Sequence, residues 1–134
     1  MLWYADSHGM RMTLSRELPS TLAAHVGGAV DALLAACGHS RRDVRHWLIH
    51  PGGPRILDAV ERALGLSPQD LAVSRAILRE YGNMSSSTIF FLLERLIAAC
   101  RPGLCVAIAF GPGLTMELAL LDVNAAQGRS DSSP

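Results

Sequence analysis

Two polar side chains stand where chemistry is possible, His50 and Asn83. His50 opens the turn His50-Pro51-Gly52-Gly53-Pro54, after the apolar run Trp47-Leu48-Ile49 and before a helical pattern that begins at Arg55. An imidazole at a strand end, on a turn that enters a helix, sits where α/β folds place their ligands. In its neutral form it donates from one ring nitrogen and accepts at the other. Taken alone, His50 reads as a strand-end residue bonded to backbone. Asn83 changes the weighing. Its amide donor does not titrate, and it lies in Gly82-Asn83-Met84-Ser85-Ser86, where glycine permits close backbone approach and serine can cap a helix. The bland alternative for Asn83 is an ordinary helix-breaking turn. Together, two neutral donors aimed at one oxygen have the composition of an oxyanion hole, suited to enolate or tetrahedral-oxyanion chemistry on thioesters.

Such a site lacks a nucleophile. Cys37 and Cys100 end helical patterns and Cys105 lies inside an apolar strand. None opens a helix, where a thiolate would be stabilised, so each reads as buried packing. The three cysteines have no metal-ligand spacing. Their odd number, with no secretion signal, fits reduced thiols and a cytoplasmic setting. No metal or cofactor is expected. A third Gly-rich point, Phe110-Gly111-Pro112-Gly113, lacks the Gly-Lys-Ser/Thr ending of a P-loop. It reads either as a hairpin turn or as a rigid wall where backbone approaches a ligand. The basic stretch His39-Ser40-Arg41-Arg42-Asp43 reads as a solvated loop tip rather than an anion site.

The elements that position these residues follow from pattern. At 134 residues the chain is one domain by size. Hydrophobic residues make up 49% and charged residues 18%, which predicts apolar surface meant for a partner or for a missing part of the domain. Twelve basic and twelve acidic residues cancel, so there is no electrostatic case for nucleic acid or an anionic membrane. No apolar run approaches the roughly 18 residues of a bilayer span. Asp6, His8 and Arg11 interrupt any signal-peptide pattern.

Residues 1–9 show no clear period, and loose alternation predicts a strand over 9–15. A helix runs from Pro19 through Ala36, with Leu22, Val26, Val30 and Leu34 on one face. A strand over 44–49 leads to His50, and a helix follows with Ile56, Leu57, Val60 and Leu64 inward. Ser67 is the expected N-cap of a helix reaching Tyr81. The next helix, over 85–100, is apolar almost all round and is expected in the middle of the fold. Residues 104–110 form an uninterrupted apolar strand, expected to be central, and 114–123 return from it. The domain is placed at 1–124, with 125–134 a disordered tail.

Three motifs carry a resemblance. His50-Pro51-Gly52-Gly53-Pro54 with Ile56-Leu57-Asp58, then Glu80-Tyr81-Gly82-Asn83-Met84-Ser85-Ser86, then Phe110-Gly111-Pro112-Gly113-Leu114-Thr115 resemble, in order and spacing, the C-terminal half of chalcone synthase-like type III polyketide synthases. The resemblance covers about Gly9 to Val123. It implies an α/β chain forming the C-terminal half of a thiolase-like layered αβαβα fold, with a mixed sheet packed by helices, in a homodimer. It also implies a Cys-His-Asn site in which His50 and Asn83 are the family's His and Asn. They would hold the thioester carbonyl oxygen of malonyl-CoA during decarboxylation, and the imidazole would keep the cysteine as thiolate. Gly82, Ser85 and Phe110, Gly111, Pro112 and Gly113 would line or shape the cavity. Met12 falls where plant chalcone synthases carry a gatekeeper Phe, which implies a differently shaped pocket. Fatty-acid ketoacyl synthases share the His/Asn pair with His-Gln-Ala-Asn at the turn, so the Pro-Gly-Gly form favours the polyketide branch. The implied partners are acyl-CoA thioesters, a Cys-bearing N-terminal half or partner chain, and a second copy. The competing expectation is a non-catalytic thiolase-fold remnant that serves as a dimerisation or partner-binding module.

Overall fold

The computed structural model describes residues 2–6, 9–13, 17–99, 101–111 and 115–124; at 2–6 and 9–13 it gives the backbone pairing alone. Strand β4 (Gly103–Gly111) lies in the middle of a three-stranded sheet, between β3 (Val44–Ile49) and β5 (Thr115–Val123). Its run from Cys105 to Ile108 is buried, as a strand covered on both faces must be. The β3–β4 pair is parallel, with Ile49 opposite Ile108, and the β4–β5 pair is antiparallel, from Gly103 opposite Val123 to Gly111 opposite Thr115. The sheet is therefore mixed.

Helices cover both faces. Helix α1 (Leu18–Ala36) and helix α2 (Pro54–Leu64) pack on one face, where Val26, Val30, Leu34, Leu57, Val60 and Leu64 meet Trp47, Ile49, Val106 and Ile108. Helix α3 (Ala72–Tyr81) and helix α4 (Thr88–Ala98) occupy the other, where Ile77, Leu92 and Leu96 meet Leu48, Cys105 and Ala107. The alternation of Trp47, Leu48 and Ile49 between the two clusters is the period of two that a strand imposes.

Several expectations need correction. A hairpin of β1 (Leu2–Asp6) and β2 (Gly9–Thr13) forms at the N-terminus, so strand structure includes the stretch without a clear period. Residues 14 and 15, also assigned to that strand, lie outside the described residues, as does the tail beyond 124. Helix α1, at 19 residues, has the length and average apolarity of a bilayer span although no single run suggests one. Leu22, Val26, Val30 and Leu34 form one buried stripe while Leu18 and Leu33 are half-buried, which is the pattern of a helix packed on a core by one face. Arg41 is not a solvated loop residue. It bonds Asp31 at 2.6 and 2.8 Å and the carbonyls of Gly27 and Leu64 at 3.2 and 3.3 Å, joining the turn before β3 to α1 and α2.

Helix α3 starts at Ala72, later than expected, because Ser67 and Asp70 close a turn of their own: Ser67 N and Oγ each donate to Asp70 Oδ2 at 2.7 Å. Helix α4 is preceded by a 3-10 turn at Ser85–Ser87 and is not enclosed. Thr88, Leu92 and Leu96 are buried, whereas Phe90 is 69% and Ile97 65% exposed. An all-round apolar helix needs cover on both sides, and among the described residues α4 has it on one.

Candidate active site

The last turn of β3 places His50. Its backbone N–H donates to Ile108 O at 2.8 Å and extends the parallel ladder past Ile49. Its own carbonyl accepts from Gly52 N at 2.9 Å, which bends the chain. Gly53 O then accepts from Ile56 N and Leu57 N, and Pro54 sits in the first turn of α2, where its missing N–H costs nothing. The His50 side chain is buried. Burial alone holds its pKa below the ordinary 6.5, so the ring is neutral at pH 7. Among the described residues no group hydrogen-bonds either ring nitrogen, and both are available to a ligand.

The end of α3 places Asn83. The helix stops at Gly82, whose φ of 73° and ψ of −162° suit glycine and few others. A Cβ there would meet no atom within 4 Å, so backbone conformation rather than close approach demands the glycine. Asn83 Nδ2 donates to Gly52 O at 3.3 Å, and Asn83 Oδ1 accepts from Ser85 N at 2.9 Å. These partners fix which end of the amide faces which way. One N–H of Nδ2 is held by Gly52, and its second is left for a ligand. Ser85 adopts φ 59°, a left-handed conformation that costs a non-glycine residue about 1–3 kcal/mol and recurs at functional sites.

Gly52 thus joins the pair. Its carbonyl takes the Asn83 amide, and its Cα faces the imidazole: a Cβ there would lie 3.9 Å from His50 Cδ2. A buried neutral imidazole and an oriented amide share one turn. Asn83 itself is exposed.

The remaining expected cavity residues are spread. Phe110 pairs with Met116 across β4–β5 and packs on the α1/α2 cluster. Gly111 opposes Thr115, and a Cβ there would lie 2.5 Å from Thr115 Oγ1, so a larger residue would require the Thr115 hydroxyl to turn away. Pro112 and Gly113 lie outside the described residues, and Met12 pairs with Trp3 in the hairpin. Cys105 is buried and its thiol is pushed up to about 11 by burial, which leaves it protonated and unreactive. Cys37 is exposed rather than buried, because it follows the last turn of α1; Cys100 lies outside the described residues. Two buried hydroxyls near the pair were not singled out by sequence: Ser74 accepts from Ile49 N, and Thr88 from Met84 N.

The family of the chain is settled by comparison. Residues 5–124 match the model described as "Chalcone and stilbene synthases, C-terminal domain". The chain belongs to that family. It is 40% identical over 122 residues to the 3,5-dihydroxyphenylacetyl-CoA synthase of Amycolatopsis orientalis, an overlap of 89% of this chain and 33% of that protein. It is 37% identical over 114 residues to Type III polyketide synthase 21 of Oryza sativa subsp. japonica, covering 81% of this chain and 29% of that one. The crystal structure of PKS-I from the brown alga Ectocarpus siliculosus superposes with a TM-score of 0.81 at 33% identity, over 91% of this chain and 35% of that one. The fold is accordingly that of a type III polyketide synthase, thiolase-like and α/β. The chain spans about a third of the length of these relatives.

Proposed function

We propose that this chain supplies the His and Asn of a Cys-His-Asn acyltransferase site of the type III polyketide synthase kind. The observation that carries the reading is the Gly52 turn, which brings a buried neutral His50 and an oriented Asn83 amide to one place. The substrates are acyl-CoA thioesters, with malonyl-CoA as extender. The C–C bond to the malonyl carboxylate breaks, CO2 leaves, and the electron pair passes to the thioester carbonyl oxygen as an enolate. Donors from His50 and Asn83 meet that developing oxyanion in a site whose dipoles are already oriented. The enolate carbon then attacks the acyl group carried on a cysteine, and the thiolate departs as the new C–C bond closes.

That cysteine belongs to a Cys-bearing half, in the same polypeptide or a separate chain. Cys105 is too deeply buried and too weakly acidic to serve. The open face of α4 supports a second half as well. Tyr81, Phe90 and Ile97, the large exposed hydrophobic residues among those described, all lie on α4 or at the end of α3 beside Asn83. Scattered exposed apolar residues are ordinary, but Phe90 and Ile97, two turns apart on one face of α4, make an apolar stripe of the kind that marks an interface. The completed synthase works as a homodimer in the cytoplasm, where free thiols such as Cys37 and Cys105 stay reduced.

Reconstitution tests the reading. The chain alone forms no polyketide from malonyl-CoA, and adding the Cys-bearing half of a related synthase restores condensation. Undiminished polyketide formation by the isolated 134-residue chain would contradict the assignment of the nucleophile elsewhere. The exposed α4 face also suits a non-catalytic partner-binding module; stable association with the second half, without any decarboxylation, would select that alternative.

A further inference from the structure

Three described residues are both polar and buried: His50, Ser74 and Thr88. Ser74 and Thr88 have no exposed surface at all. A serine or threonine within a helix usually returns its hydroxyl to the carbonyl one turn back. These two hydroxyls also accept from backbone outside their own helices. Ser74, in the first turn of α3, takes the N–H of Ile49 at 3.2 Å, one residue before His50. Thr88, the first residue of α4, takes the N–H of Met84 at 3.1 Å, one residue after Asn83.

We propose that Ser74 and Thr88 are the positioning residues of the His50–Asn83 pair, each fixing the peptide next to one member. Residue order supports this. Among the described residues β3 is an edge strand whose outer amides meet no strand, and Ser74 accepts from Ile49 there. The next amide, that of His50, turns inward to Ile108 O at 2.8 Å. The backbone on either side of the His50 Cα is therefore anchored, to α3 through Ser74 and to β4 through Ile108. At Asn83 the side chain is held by Gly52 and Ser85, and the following peptide by Thr88. Helix α3 becomes the strut between the two: Ser74 ties its first turn to β3, and Asn83 follows its last. A catalytic donor displaced by about 1 Å loses much of its effect, so such anchors bear directly on the oxyanion geometry.

Their catalytic relevance rests on the proposed function, but the anchoring is read without substrate. The test is NMR on the full 134-residue chain, comparing Ser74→Ala, Thr88→Val and the conservative variants Ser74→Thr and Thr88→Ser. Removing the Ser74 hydroxyl should speed amide exchange of Ile49 by roughly tenfold or more and move the His50 ring signals. Removing the Thr88 hydroxyl should speed exchange of Met84 to a similar degree and move the side-chain NH2 signals of Asn83 instead. Amides of α1 and α2 should keep their protection in both, and each conservative variant should restore the wild-type signals. Unchanged His50 and Asn83 signals would overturn the proposal. So would a uniform loss of protection across the core, because that is the mark of a residue that only stabilises the fold. If Ser74→Ala does not fold, Ser74→Cys keeps the volume while weakening the acceptor, and the same signals decide. A failure here leaves malonyl-CoA decarboxylation by the reconstituted synthase intact, which separates it from a failure of the functional reading.

Discussion

Asn83 reaches back across the sheet end and donates its amide to the carbonyl of Gly52, at 3.3 Å. The contact closes the gap between two segments that are far apart in sequence, and Gly52 is two residues past His50. The placement of His50 relative to Asn83 therefore depends on the Gly52 turn and on how α3 ends.

Gly82→Ala should disturb that end. The residue holds φ 73° and ψ −162°, which a Cβ opposes even though the space around it is open. A cost of about 1–3 kcal/mol is expected from the backbone alone. Thermal unfolding should show a lowered midpoint, and the Asn83 side-chain NH2 signals should shift. A variant as stable as the parent would mean that the turn relaxes freely.

Acid should destabilise the chain through His50. Its folded pKa lies below the ordinary 6.5, so the unfolded chain binds the extra proton more readily. This contribution is fully present above 6.5 and is lost as pH falls from 6.5 through the folded value. Urea unfolding at pH 7.5 and 5.5 should show lower stability at the acid end, and His50→Gln should flatten that difference. An equal slope in both proteins would assign the effect to other groups.

The two described cysteines should react differently. Iodoacetamide under native conditions should label Cys37, which is exposed, and spare Cys105, which is buried with its thiol pushed up to about 11. Peptide mass spectrometry gives the site of labelling. Rapid modification of Cys105 in folded protein would contradict its placement in β4.

Charge placed on the open face of α4 should affect association, not folding. Ile97 is 65% exposed, and surface changes such as Ile97→Lys usually stay within about 0.5 kcal/mol. Its melting point should match the parent, while binding to the Cys-bearing half should weaken. Undiminished binding would remove this face from the interface.

Much of this organisation was legible from residue types. The stripe Ile56, Leu57, Val60 and Leu64 marks α2, and the unbroken apolar run over 104–110 marks a strand whose stretch from Cys105 to Ile108 is buried on both sides. Both signals are purely local. Helix α4 shows the limit: its all-round apolar surface predicts an enclosed helix, but among the described residues only the face of Thr88, Leu92 and Leu96 is covered, and Phe90 is exposed. Arg41 sits in a run that looks like a solvated loop, and only the fold shows Asp31 and two carbonyls converging on it. The Ser67/Asp70 pattern has the residues of a helix cap and instead closes a separate turn. Of the site, His50 and Asn83 were accessible through their motifs. Ser74 and Thr88 were not, because a hydroxyl on a helix carries no periodic signal and its partners come from β3 and the Asn83 loop.

The central claim is that His50 and Asn83 together stabilise the oxyanion formed as malonyl-CoA loses CO2. The direct measurement is CO2 release from carboxyl-labelled malonyl-CoA by the chain reconstituted with a Cys-bearing half, for the parent, His50→Ala and Asn83→Ala. Loss of one oxyanion donor costs roughly 100- to 1000-fold in rate, so each variant should fall by that factor while its circular dichroism stays that of the parent. Parent-like release from either folded variant would contradict the account and remove that residue from the site.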